Sequence, residues 1–427
     1  MFTAGTNSPI KNTDYRVVLP FYAYAALSFL VATLLISFNV DSFTQHHFNG
    51  KTLAITHTMA LGWGTMMILG ASHQLFPVLI KGKLHSIHLA HISFISSALG
   101  IPMLVYAFYN LNFGLMADFG AVFINFAVIS YLINLTISIV KSKKTNVHAV
   151  SAFTAVIWLL VTTFVGLLLV CNFQTPIFSK SSVYYLSLHA HLGIIGWFLL
   201  MIVGVGARLI PMFLISKYEN TKILWWIYGL INTGLITFII TFTLGANIVF
   251  SLMPIGFILA TLILFSRYIY KAYRLRIRKK IDGQVKISMV SVALIGIPLV
   301  VITGIILIFS SLGHQQFVML YGFTIFFGFI TAIILGMTFK TLPFIVWNKV
   351  YHHIAGLGKT PNPKELFKSK IFVANVISYF LGFTILSFGI INTNTITLNI
   401  GAILLVINAV FYNINVFTIL FHQPKLQ

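Results

Sequence analysis

Histidine is the one abundant metal-ligating side chain in this 427-residue chain: fourteen are present, against six acidic residues and a single cysteine, Cys171. One cysteine excludes both a disulfide framework and a thiolate-built metal site. His57, His189 and His191 fall in strongly apolar segments. There an imidazole needs a hydrogen-bond partner, a metal or a haem iron to offset its burial. The chemistry these residues suggest is ligation rather than carboxylate acid–base catalysis. The acidic residues Asp14, Asp41, Asp118, Glu219, Asp282 and Glu365 all lie near the ends of apolar segments, which disfavours a proton pump or a proton-driven carrier.

The elements that position these histidines repeat. From His57 a skeleton reads Gly62, Trp63, Gly70, Pro77; from His191 it reads Gly196, Trp197, Gly204, Pro211; from Phe323 it reads Gly328, Phe329, Gly336, Pro343. The spacing is ungapped, and the starting positions are 134 and 132 residues apart. One unit of about four membrane helices therefore occurs three times, with repeat helices at about 52–80, 183–215 and 315–347.

Composition agrees: 58% of residues are hydrophobic and 8% charged, far below the charged quarter of a soluble domain. Apolar runs long enough to cross about 30 Å of hydrocarbon fall near 15–38, 52–80, 86–109, 112–140, 149–172, 183–215, 223–244, 246–270, 287–311, 315–347, 371–391 and 396–421. The expected fold class is all-α: one polytopic membrane domain over 1–427, about 12 transmembrane helices, with a three-fold repeat of four. The polar tail before Tyr15 carries no cleavable signal pattern, so the first segment reads as a retained helix.

The formal charge of +21 is a matter of topology rather than nucleic acid. Lys81, Lys83, Lys141 through Lys144, Lys217, Lys222, the Arg267–Lys286 run and the Lys349–Lys370 run all follow even-numbered segments, while only Lys51 and Lys180 fall opposite. The positive-inside rule then makes both termini cytoplasmic, with Lys11, Arg16 and Lys425 on the same side. The basic loop at 270–286 meets anionic lipid. The partner this predicts is membrane lipid.

At about 100° per residue, Gly62, Gly70 and His73 lie opposite His57, and Gly193, Gly196 and Gly204 opposite His191. The glycine face admits a neighbouring helix or a flat ring; the histidine face offers a nitrogen to a centre in the bundle. His189 and His191 are about 200° apart, so they serve two sites, or one site and one hydrogen bond. His73 is about 24 Å from His57, too far to share a metal, and reads as packing. His46 and His47 sit in the first outer loop, as a solvated pair, a cap over His57 or ligands of a surface metal. His85, His88 and His91 share the start of the third segment with no carboxylate or cysteine beside them. His148, His352, His353 and His422 read as loop residues. Gln74, Arg208 and Lys340, three residues before each repeated proline, read as anchors at the cytoplasmic boundary.

Twelve helices, a three-fold repeat of four, and a near-outer histidine on the second and sixth resemble subunit I of the haem–copper oxidases, cytochrome c oxidase and nitric oxide reductase, and the related NnrS-like membrane proteins. The resemblance implies that His57 is an axial haem ligand and that His191 or His189 stands where that family has a copper ligand. It also implies a respiratory or cytochrome subunit as partner, and a bacterial inner-membrane location. The chain departs from the pattern elsewhere. HAHLGIIGW replaces the sixth-helix copper motif, the seventh segment has no histidine pair, and the tenth has Tyr321 and Phe323 where the family has haem ligands. His314 lies about 13 Å further out and does not replace them.

The expected function is therefore haem b binding with a degenerate or missing copper site, in electron transfer or in nitric oxide, haem or copper handling. Haem would lie between His57 and His191 or His189, and a standard oxygen-reducing, proton-pumping oxidase is not expected. The alternatives are a cofactor-free channel or transporter, or a structural subunit, on the same scaffold.

Overall fold

The structure is a computed structural model and describes residues 13–142, 146–309, 315–352 and 360–424, apart from the Phe309 side chain. Among them twelve helices are long and apolar enough to cross a membrane: α1 Tyr15–Phe38, α2 Gly50–Leu79, α3 Ile87–Tyr109, α4 Leu115–Val140, α5 Val147–Gln174, α6 Ser182–Phe213, α7 Thr221–Leu244, α8 Ile248–Arg274, α9 Gly283–Ile308, α10 Gln315–Tyr351, α11 Ser369–Asn392 and α12 Thr395–Leu420. The protein is an all-α integral membrane protein. His314, His353, Lys11, Lys143, Lys144 and Lys425 lie outside the described residues.

Helix starts are set by asparagine, whose side-chain oxygen accepts otherwise orphaned first-turn N–H groups. Asn49 caps α2, Asn146 α5, Asn220 α7, Asn247 α8 and Asn394 α12. The pairs α3–α4, α7–α8 and α11–α12 form antiparallel hairpins, and α1–α2, α5–α6 and α9–α10 pack as the other halves of the repeats. α12 returns onto α1, so the three units close into a ring with α2, α6 and α10 inside. α2, α6 and α10 are the most buried spans, and α7, α8 and α9 the least.

The repeated glycines are accounted for by helix packing. A Cβ on Gly70 would lie 2.6 Å from Phe21 Cβ of α1, on Gly204 2.5 Å from Ser151 Cβ of α5, and on Gly336 2.2 Å from Ser288 Oγ of α9. Each contact is made with the helix just before the repeat helix, so this face admits a neighbouring helix, not a flat ring. The prolines behave less uniformly. Pro77 and Pro211 sit two residues before their helix ends. Gly82 N–H and Ser216 N–H close back on the Pro77 and Pro211 carbonyls at 2.9 Å, with Lys81 and Ile215 at φ 51° and 53°; this is a Schellman-type ending. Pro343 does not mark the inner end expected of it, because α10 continues to Tyr351, where Trp347 Nε1 donates to the Pro361 carbonyl at 2.6 Å.

One feature escapes a uniform 100° reading. α2, α6 and α10 each widen into a π-helix at the same register: Thr58–Thr65, Leu192–Leu199 and Thr324–Ile330. Each begins one residue after His57, His191 or Phe323. The faces computed for a regular α-helix therefore do not carry below those positions, because a π turn holds more residues. Side chains satisfy carbonyls in the wide turns. Thr331 Oγ1 donates to the Phe326 carbonyl at 2.8 Å, and Tyr379 Oη lies 2.8 Å from those of Phe327 and Gly328.

Apart from Lys51 and Lys180, the described basic residues lie near or beyond the helix ends on one side of the bundle. There Lys340 forms an ion pair with Asp282, which also meets Arg278 at 3.5 Å. This supports an anchoring role for Lys340, whereas Arg208 is exposed and Gln74 half-buried. Burial raises the Asp282 carboxyl, but the Lys340 hydrogen bond and charge, with Arg278 and Lys364, outweigh it and hold it below the usual range. A depressed folded-state pKa stabilises the fold above the unfolded value and loses that contribution as pH falls through the folded one. Acid titration of unfolding should thus show a stability loss beginning near pH 4 that disappears in Asp282→Asn. At neutral pH that variant should cost about 1 kcal/mol, the pair being partly exposed.

Candidate functional site

The repeat generates three junctions around the inner helices, each joining one repeat position to the position two residues earlier in the next repeat. Between α2 and α6 these are His57 and His189, with ring centroids 6.2 Å apart and planes 19° apart. Between α6 and α10 they are His191 and Tyr321, with Nε2 and Oη 3.0 Å apart. At the corresponding positions of α10 and α2 stand Phe323 and Ile55, both buried and apolar.

One turn further in, a second ring runs the opposite way. Trp197 Nε1 donates to Thr65 Oγ1 at 3.0 Å and Trp63 Nε1 to Thr331 Oγ1 at 3.1 Å. At the third position stand Phe329 and Leu199, two residues with no hydrogen bond to make. Trp63→Phe or Thr331→Val should each lower unfolding stability by about 1 kcal/mol or more, and the double variant by less than the sum of the two single losses, because they share one hydrogen bond. Thermal unfolding in detergent reads this.

The cofactor residues named from sequence therefore do not meet at one point. His57 and His189 line a cavity of about 160 Å³ among α2–α6, whose walls include Phe108, Phe113, Phe173 and Phe198. His191, two residues on from His189, lines a separate cavity of about 440 Å³ among α6–α10. The roughly 200° between them is the reason, and of the two pairings left open for His57 only that with His189 forms. The third junction is filled by rings: Phe323 stacks on Phe327 and Phe383, and Trp63 on Phe29 with Tyr412 edge-on.

No family model matches the chain, and no curated protein matches it. The geometry alone must then carry the functional argument.

His57 Nδ1 is held by the Leu53 carbonyl at 2.8 Å. A carbonyl only accepts, so this nitrogen carries the proton and Nε2 keeps its lone pair. His189 Nδ1 is buried without a partner. A Cβ on Gly166 would stand 2.9 Å from His189 Cε1, so α5 presses the ring into place. Two metal–nitrogen bonds of about 2.0 Å, plus the distance from each nitrogen to its ring centre, come to about 6 Å between centroids. The observed 6.2 Å fits one metal atom between the two imidazoles. The space is tighter. A void of about 160 Å³ is below the ~300 Å³ at which ligand pockets begin, so a porphyrin ring there requires the lining phenylalanines to move.

The remaining histidines separate from this site. His73 is buried between Phe21 and Tyr131, with Nδ1 on the Leu69 carbonyl at 2.7 Å and Nε2 without a hydrogen-bond partner. The His46 and His47 rings lie 4.2 Å apart and tilted by 31° in the loop between α1 and α2, and burial and then His46 hold His47 below the usual imidazole range. Their neighbour Phe48 lines the His57 cavity, but they do not, so they form no cap. His148, read from sequence as a loop residue, lies in the first turn of α5, buried, with Nδ1 2.8 Å from the Gly204 carbonyl. Its preceding Asn146 cap was the signal for that helix start. Tyr321 is the site residue that sequence analysis set aside as a departure from the family pattern; its repeat equivalence to His189 was the available clue. Among the described residues no three His, Cys, Asp or Glu side chains gather closely enough to hold a metal ion.

Proposed function

We propose that the protein is a b-type haem protein of the membrane, its iron held between His57 of α2 and His189 of α6, acting in electron transfer. The reading rests on one observation: two facing imidazoles from different repeats, at the separation of a bis-histidine centre, each with a nitrogen free to ligate. A haem bound there supplies a one-electron couple. The chain's own contribution is to fix the His57 tautomer through Leu53, hold His189 against Gly166, and exclude water with the phenylalanine walls. The likeness to haem–copper oxidase subunit I supports the reading by architecture, with the haem moved from a second–tenth to a second–sixth helix pairing. Nitric oxide, haem or copper handling are further roles open to such a centre. With only two imidazoles present, a three-ligand copper site has no residues to build it.

In this reading the basic end faces the cytoplasm of a bacterial inner membrane, where both termini lie, and a respiratory or cytochrome subunit accepts or supplies the electron. The test is a reduced-minus-oxidised visible spectrum of the protein purified in mild detergent, with a metal assay on the same sample. Sharp α and Soret bands with about one iron per chain are expected. A colourless, folded preparation that takes up no added haemin overturns the proposal and leaves the cofactor-free channel, transporter or structural subunit.

A further inference from the structure

The α6–α10 junction carries the larger cavity, and its chemistry differs from that of the His57 site. Its volume, about 440 Å³, is within the range of small-molecule sites. Its walls are mainly aliphatic and aromatic, with the hydroxyls of Tyr184, Ser187, Thr241 and Ser251 among them and no lysine or arginine among the described lining residues. Thr241 and Ser251 donate to the Phe238 and Asn247 carbonyls of their own helices. It reaches from the α7–α8 turn at Gly245 and Ala246 inward between α8 and α9, among the least buried spans. A phospholipid headgroup has no cation there to meet its phosphate. A flat apolar ring does have partners, since Phe238, Phe242 and Phe329 line the space and Phe238 lies 4.6 Å from the His191 ring.

At the head of this cavity stands the His191–Tyr321 pair. His191 Nδ1 is 2.7 Å from the Ser187 carbonyl, and because a carbonyl only accepts, the hydrogen-bond network places the proton on Nδ1. In the neutral ring Nε2 is then an acceptor, so the Tyr321 hydroxyl donates to it across the 3.0 Å contact. That donation uses the only proton on Tyr321 Oη and leaves its lone pairs facing outward from the pair. The chain Ser187 carbonyl, His191, Tyr321 ends in a hydrogen-bond acceptor, and an acceptor in an apolar cavity selects a donor.

We propose that this cavity binds a lipid-soluble quinol, its ring hydroxyl donating to Tyr321 Oη, its ring among the phenylalanines and its tail along α8 and α9. The site stands apart from the His57–His189 pair and does not rest on haem binding. The quinone form of the same molecule has the same size but carbonyls in place of hydroxyls. It can pair with Tyr321 only if that hydroxyl abandons His191, so the site discriminates between the two forms.

The experiment is anaerobic equilibrium dialysis of decyl-ubiquinol and decyl-ubiquinone against the full chain in phosphatidylcholine nanodiscs, with the protein fully reduced. Saturable binding is expected, with the quinol tighter than the quinone by roughly tenfold. Tyr321→Phe, which keeps the ring and removes the oxygen, should erase that difference. Ala246→Trp, at the outer turn, should weaken both forms together. Equal affinity of the wild-type protein for the two forms, or no saturable binding of either, overturns the proposal, and this comparison needs no variant to fold. Loss of haem from the His57 site would leave the result unchanged, so the two proposals fail separately.

Discussion

His57→Ala and His189→Ala should each abolish the bis-histidine haem spectrum, lowering bound haem by at least roughly tenfold, the scale on which removing a group that orients or ligates a metal acts. His191→Ala should leave it nearly intact. The asymmetry follows from the helix. His189 and His191 are two residues apart in sequence, yet one lines the cavity with His57 and the other the cavity with Tyr321. In the proposed centre, truncating either member of the pair would leave the iron one protein ligand, and the low-spin signature of two imidazoles would be lost. The check is the reduced-minus-oxidised spectrum of each variant at equal protein, beside its elution profile. Equal loss in all three variants would mean a general folding defect. Loss confined to His191→Ala would move the centre to the α6–α10 junction and sink the assignment.

Gly336→Ala should be the most destabilising alanine among the repeated glycines. Helix propensity alone would favour alanine by about 1 kcal/mol. Against that, the new Cβ would lie 2.2 Å from Ser288 Oγ, 2.6 Å from the Gln284 carbonyl oxygen and 2.9 Å from the Ser288 backbone nitrogen. The hydroxyl can rotate away; the backbone of α9 cannot without moving the helix. Overpacking of this kind costs about 1–3 kcal/mol and sometimes more; with the α9 backbone in the way the cost falls at the upper end, so after the propensity gain a net loss of about 1–2 kcal/mol and a drop in melting temperature are expected. Gly206→Ala is the control, because its nearest neighbour would be 3.8 Å away and only the propensity gain should remain. Thermal unfolding of the two variants in the same detergent decides it, and equal melting temperatures would show that α9 and α10 are not in the contact described.

Much of this was legible in the chain. Hydrophobic length and composition fix twelve spans because a lipid-embedded backbone must satisfy itself as helix. The ungapped repeat from His57, His191 and Phe323 identifies the three inner helices, and the 200° between His189 and His191 separates two sites. The expectation that failed was one of uniform geometry. Faces drawn at 100° per residue do not hold through the π-helical turns, and Pro343, unlike Pro77 and Pro211, lies well inside its helix. His148 was placed in a loop because charge marked the boundary more visibly than the asparagine cap.

The sequence by itself determined the membrane class, the number of spans, the three-fold plan and that His57, His189 and His191 lie in apolar segments, since each of these depends on local composition and spacing. Only the tertiary structure decided that His57 meets His189 and not His191, that Tyr321 completes the second junction, and that aromatic rings close the third. Those outcomes depend on the order in which three copies close around one axis, which is not written in any one repeat.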